Sequence, residues 1–106
     1  MTDCLLVMTT LPDLESARNL AHRLLESRLA ACISILPSMT SIYVWDGKIC
    51  ENSEHLLWVK TQTARYAELE AWLHSQHPYS LPEIIAIPLT HGLPEYLGWI
   101  KERTQE

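Results

Sequence analysis

Hydrophobic positions change their period several times along the chain, and each change predicts an element. Leu5-Leu6-Val7-Met8 is apolar without alternation, the pattern of a strand covered on both faces, and predicts a first strand over 4–9. Pro12-Asp13 then predicts a helix start, with Asp13 as N-cap and Glu15 well placed against the positive helix end. Leu14, Ala17, Ala21, Leu24, Leu25 and Arg28 or Leu29 recur at intervals of three and four, which predicts the buried stripe of that helix. From Ala31 the period falls to two. Ile33 and Ile35 alternate with Cys32 and Ser34, Pro37 interrupts, and residues 40–45 resume the strand.

Asp46-Gly47 follows, and it supplies the positive φ that a type I′ hairpin turn needs at both central positions. The partner strand is expected over 48–61, polar in its first half and apolar at Leu56-Leu57-Trp58-Val59. Two such arms exceed the usual strand length of about 5–6 residues, so the hairpin tip should project beyond the domain. Thr63 is the expected cap of a second helix reaching Gln76, with Tyr66, Leu69, Trp72 and Leu73 buried. His74 and His77 are placed in its last turn, and Pro78 ends it. A fourth strand is expected over 83–89, carrying Ile84-Ile85-Ala86-Ile87. Gly92 and Pro94 punctuate, and a last helix is expected over 95–104 with Tyr96, Trp99 and Ile100 on one side.

The order strand, helix, strand, strand, helix, strand is the split βαβ of an α+β, ferredoxin-like βαββαβ sandwich, here with an extra C-terminal helix. Its antiparallel sheet would run 4-1-3-2. The prolines agree: Pro37 and Pro88 fall in the two strands this order puts at the edges, where a missing ladder donor is tolerated. In that fold both crossover helices cover one sheet face. The lack of alternation in the first and fourth strands therefore predicts an apolar open face, which soluble monomers avoid. Association of identical chains, with the long hairpin reaching a neighbour, is the simplest resolution.

With 106 residues the chain is read as one domain, 1–106, small enough to gain from extra burial on association. A net charge of -5 without any Lys/Arg cluster excludes nucleic acid and anionic membrane surfaces as main partners. No run approaches a membrane span of ~20 apolar residues. The start, Met1-Thr-Asp-Cys, lacks a basic signal-peptide region, and Cys4, Cys32 and Cys50 show no C-x-x-C spacing. Reduced thiols and a cytoplasmic location are expected. There is no G-x-S-x-G, no H-E-x-x-H and no glycine-rich phosphate loop, so no enzyme is expected.

Three stretches carry a family resemblance: Arg28-Leu-Ala-Ala-Cys-Ile33 with Pro37; Ser41-Ile-Tyr43-Val-Trp45-Asp-Gly47-Lys48 with Glu54 and Lys60-Thr61; and His77-Pro-Tyr79-Ser-Leu-Pro82-Glu83-Ile-Ile85 with Pro88, Gly92 and Tyr96-Leu97-Gly-Trp99. Together they resemble the CutA family of divalent-cation tolerance proteins, over about residues 5–100. The resemblance implies a homotrimer, similar in assembly to PII signalling proteins, and a role in tolerance of copper (Cu2+) and other divalent cations. Copper binding in bacterial members is associated with a cysteine and a His-His pair. The matching positions are Thr9, Gln76 and His77, of which His77 alone is a metal-ligand type.

Several candidate residues follow. His74 and His77, at i,i+3 spacing, would either chelate a metal or complement the helix end. Cys32 is the one cysteine inside a resembling stretch and reads as a small buried hydrophobe. Lys60 closes an apolar central strand, where an unpaired ammonium is costly, and Glu54 or Glu83 is its expected partner. With Tyr79, Trp45 and His77 these would either line an intersubunit cleft or form an assembly ion pair. Two functions remain: a trimeric divalent-cation binder, and a PII-like signalling or scaffold module binding a small anionic ligand in the cleft.

Overall fold

The computed structural model describes residues 2–106, the side chain of Pro37 excepted. Its elements are β1 (Cys4–Leu11), α1 (Leu14–Glu26), β2 (Cys32–Trp45), β3 (Lys48–Gln62), α2 (Tyr66–Gln76), β4 (Ile85–Pro88) and α3 (Pro94–Arg103). The sheet order is β2-β3-β1-β4, all pairs antiparallel, as a ferredoxin-like sandwich requires.

Local chemistry sets the element ends. The Asp13 carboxylate accepts the Ser16 N–H at 2.7 Å, closing the first turn of α1. Asp46 and Gly47 turn the hairpin at φ 53° and 74°, both in the left-handed region that their types tolerate. Thr63 departs from expectation. A 3₁₀ turn over Thr63–Arg65 precedes α2, and no side chain caps either. The Thr63 N–H instead donates to the Asp3 carbonyl at 2.7 Å, so a tertiary contact replaces the local cap.

The first core cluster lies between the sheet and α1 and α2. Val7, Leu11, Leu57 and Val59 from β1 and β3 pack with Ala17, Leu20, Leu24, Leu69 and Leu73. Leu14 and Leu25, expected in the α1 stripe, are exposed, and Leu20 takes the buried position instead. Arg28 adopts φ 60° after the helix end, and this reversal turns Leu29 inward.

The opposite sheet face is partly covered by α3. Ile100 and Leu97 meet Cys4, Ala31 and Leu89 in a second cluster. Of the three residues expected on one side of α3, Ile100 is buried while Tyr96 and Trp99 are exposed, as are Trp58, Ile85 and Ile87. The open apolar face therefore exists, reduced at one end by the last helix.

The hairpin outruns the rest of the sheet. β1 pairs with β3 only as far as Leu11 opposite His55, so residues 48–54 of β3 pair with β2 alone. A register shift between Leu36 and Met39, the step containing Pro37, adds one residue to β2. An inserted residue exchanges the faces of everything beyond it. Met39, Ser41 and Tyr43 thereby join Glu54, Asn52 and Cys50 on the face away from α1 and α2.

Candidate functional site

The projecting hairpin and the irregular segment between α2 and β4 enclose a cleft of about 720 Å3. Trp45, Tyr43, Glu54 and Asn52 come from the hairpin, Tyr79 and Glu83 from the segment after α2, and Thr10 from β1. The geometry starts at His77. Pro78 drives the residue before it out of the helical region. His77 accordingly leaves α2 with φ -74° and ψ 141°, while its N–H still closes the helix end on the Leu73 carbonyl at 2.9 Å.

That turn buries the imidazole and bonds both of its nitrogens. Nδ1 accepts the Tyr79 N–H at 3.1 Å, which leaves the ring proton on Nε2, 3.1 Å from the Thr9 hydroxyl oxygen. The two aromatic side chains meet at a tilt of 43°, with 5.0 Å between centroids. Burial pushes the His77 pKa below its ordinary 6.5, against the opposing pull of the Thr10 backbone and the Glu54 charge. The Tyr79 hydroxyl donates to a Glu54 carboxylate oxygen at 2.8 Å. Burial and the Glu54 carboxylate raise the Tyr79 pKa, so the phenol stays protonated. Glu83 is raised as well, by desolvation of its carboxyl in the cleft and then by the charge of Glu54. Across the hairpin the Asn52 amide donates to the Tyr43 hydroxyl.

Trp45, Glu54, Tyr79 and Glu83 are thus brought together as cleft residues. Lys60 and Cys32 are not. They are cross-strand partners, with the ammonium 3.9 Å from the thiol and 5.9 Å from the centre of the Tyr96 ring. Lys60 lies six positions along the strand from Glu54, roughly 20 Å at the rise of an extended chain, so the expected ion pair does not form. None of the ion pairs among the described residues includes Lys60, Glu54 or Glu83.

The i,i+3 pairing of His74 and His77 is also corrected, because His77 is outside the helix and buried while His74 stays exposed on it. The implied copper ligand set does not fit these residues. Thr9 has a hydroxyl bonded to His77, and the Gln76 Oε1 accepts from Arg23 Nη1 at 2.7 Å. No group of three or more His, Cys, Asp or Glu side chains converges among the described residues. Thr10, Tyr43, Ser41 and Asn52 are cleft residues that sequence reasoning missed. Counting pairs outward from Asp46-Gly47 puts Ser41 opposite Asn52 and Tyr43 opposite Cys50, so part of that signal was present.

The buried neutral His77 gives a pH prediction. With its folded pKa depressed, its contribution to stability is complete above about 6.5 and is lost as pH falls through the folded value. Thermal unfolding between pH 8 and pH 5 should therefore show a steeper fall for the wild type than for His77→Gln. The variant should lose about 1–3 kcal/mol at pH 8 from the broken hydrogen bonds. Parallel curves would show that His77 is not the titrating group.

Comparison with known proteins agrees with the fold. The model of the CutA1 divalent ion tolerance protein family matches residues 5–103. The divalent-cation tolerance protein CutA of Thermus thermophilus is 47% identical over 98 residues, covering 92% of this chain and 95% of that protein. Protein CutA of Mus musculus is 43% identical over 91% of this chain, which spans 54% of the mouse protein. The crystal structure of CutA from Xylella fastidiosa superposes with a TM-score of 0.95 at 41% identity, covering 98% of this chain and 100% of that one. A family match over almost the whole length, together with the same fold in the relatives, shows that this chain belongs to the CutA1 divalent ion tolerance protein family.

Proposed function

We propose that the chain works as a non-enzymatic, cytoplasmic homotrimer in divalent-cation tolerance, holding copper or another divalent ion weakly at sites that neighbouring subunits complete. The observation that carries the assembly is the exposed apolar surface on the projecting hairpin, where Ile42, Val44 and Ile49 are mostly open to solvent. Support for the cation role comes from the family to which the chain belongs, that of the CutA1 divalent ion tolerance proteins. Tight copper binding at the matching positions is not expected, because they offer a hydroxyl, an amide and an imidazole with no free lone pair. The alternative of an anionic ligand in the cleft is disfavoured, since two carboxylates and no cation line it.

Calorimetric titration with Cu(II) and Zn(II), on protein whose mass is measured by sedimentation, tests the reading. Dissociation constants in the micromolar to millimolar range, on a species of three chain masses, are expected. A chain-mass species, or no heat below millimolar metal, would refute it.

A further inference from the structure

We infer that the cleft beside Tyr79 is closed in the assembly by a second copy of this chain, with the ammonium of the partner subunit's Lys60 entering it to pair with Glu54 and Glu83. The pairing rests on the self-association proposed above and adds which surfaces meet. Each side lacks what the other carries. Glu54 and Glu83 line the cleft together with Trp45, Tyr43 and Tyr79, and no Lys or Arg does. Tyr79 donates to one Glu54 oxygen at 2.8 Å, but neither carboxylate has an ion-pair partner among the described residues. Desolvation and the Glu54 charge raise the Glu83 pKa, the mark of a carboxyl short of positive charge.

Lys60 is the complementary group. It is half-buried on β3 beside the Cys32 thiol and the Tyr96 ring, and no carboxylate pairs with it among the described residues. A partly desolvated ammonium without a countercharge is costly, and a carboxylate partner relieves that cost. Other cations are already engaged: Arg65 pairs with Glu68 and Glu106, Lys101 with Asp3, and Arg23 lies over Trp72 in the helix layer. Residues 54, 56, 58 and 60 alternate along β3 with the buried Leu57 and Val59, so Glu54 and Lys60 share the sheet face turned away from α1 and α2. Trp58 stays exposed on that face, as do Ile85 and Ile87 on β4, and together they offer an apolar surround that excludes water from the pair. Within one chain the two charges lie too far apart to meet. A head-to-tail contact brings the cleft of one chain onto the Lys60 end of the next. Two different patches that complement each other make a heterologous interface, and when it closes into a ring every cleft and every Lys60 is used.

A carbodiimide, which joins a carboxylate to an amine without a spacer, tests the contact in the wild-type protein. Protein refolded from equal parts of light- and heavy-nitrogen chains is treated, digested and read by mass spectrometry. Peptides carrying Lys60 should be linked to peptides carrying Glu54 or Glu83, and links that join one light and one heavy peptide should be present. Charge reversal gives a second reading. Lys60→Glu and Glu83→Lys should each lower the urea concentration at which the three-chain mass gives way to single chains, corresponding to a roughly tenfold weaker assembly, and the double variant should recover most of that loss. Circular dichroism without urea establishes that each variant is folded, and the wild-type links decide the matter if one is not. A three-chain wild type without mixed-label links to Lys60, or a folded double variant that assembles no better than the weaker single one, would overturn the pairing and leave the trimer standing. A wild type of one chain mass would overturn the trimer and the pairing with it.

Discussion

For the proposed trimer, replacing Ile42, Val44 and Ile49 together by threonine is expected to reduce the solution mass from three chains to one. These residues are 64%, 70% and 77% exposed. Val44 is the cross-strand partner of Ile49, and Ile42 lies two residues along the same strand, so the three form one stripe on one face of the hairpin. Burying a branched aliphatic side chain stabilises by about 1.5–3 kcal/mol, and three per chain across several interfaces exceeds what a weak surface contact supplies. Threonine keeps the β-branched shape and strand preference, and the Asp46-Gly47 turn keeps the register, so the hairpin itself should survive. Sedimentation equilibrium reads the mass and far-UV circular dichroism the fold. An unchanged mass would remove the stripe from the assembly surface.

Leu57→Ala should be among the most destabilising single changes in the chain. Leu57 is fully buried on β3, between Thr9 of β1 and Ile35 of β2, against the helix layer. Truncation loses the transfer energy and leaves a cavity, at a cost of about 2–5 kcal/mol. For a domain of this size each kcal/mol shifts the unfolding midpoint by about 4–8 °C, so a fall of about 10 °C or more is expected at fixed protein concentration. Leu25→Ala is the control. Expected in the buried stripe, Leu25 is exposed at the rim of that face of α1 and should cost less than about 1 kcal/mol. Equal losses for the two would mean that helix–sheet packing is not where the stability lies.

Those two leucines mark how much of the fold was legible. The period of α1 was visible, but its phase was off, because Leu20 rather than Leu14 and Leu25 faces the sheet. Leu and Ala occupy one broad arc of that helix with Leu14 and Leu25 at its rim, and apolar spacing alone does not select the centre of so wide a stripe. The site shows the same division. Glu54, Tyr79, Glu83 and Trp45 were legible as a group, whereas Lys60 was assigned to it on motif proximity and lies about six residues up the strand. Pro78 contained enough information to take His77 out of the helix, since the residue before a proline is driven to extended backbone.

What the sequence determined by itself is local: the Asp46-Gly47 turn, the Asp13 cap, the strand–helix order and the edge placement of the proline strands. The turn and the cap depend on backbone preferences within a few residues, and proline's missing donor bars it from central strands. The tertiary structure alone decided which side chains share a face and a cleft. The register shift between Leu36 and Met39 exchanges the faces of the outer hairpin. The end of β1 at Leu11 leaves that hairpin standing free, and the α2–β4 segment brings Tyr79 to within 2.8 Å of a carboxylate 25 residues earlier. The physical reason is that a single inserted residue reverses a strand's two faces, while the packing that favours the insertion comes from segments distant in sequence.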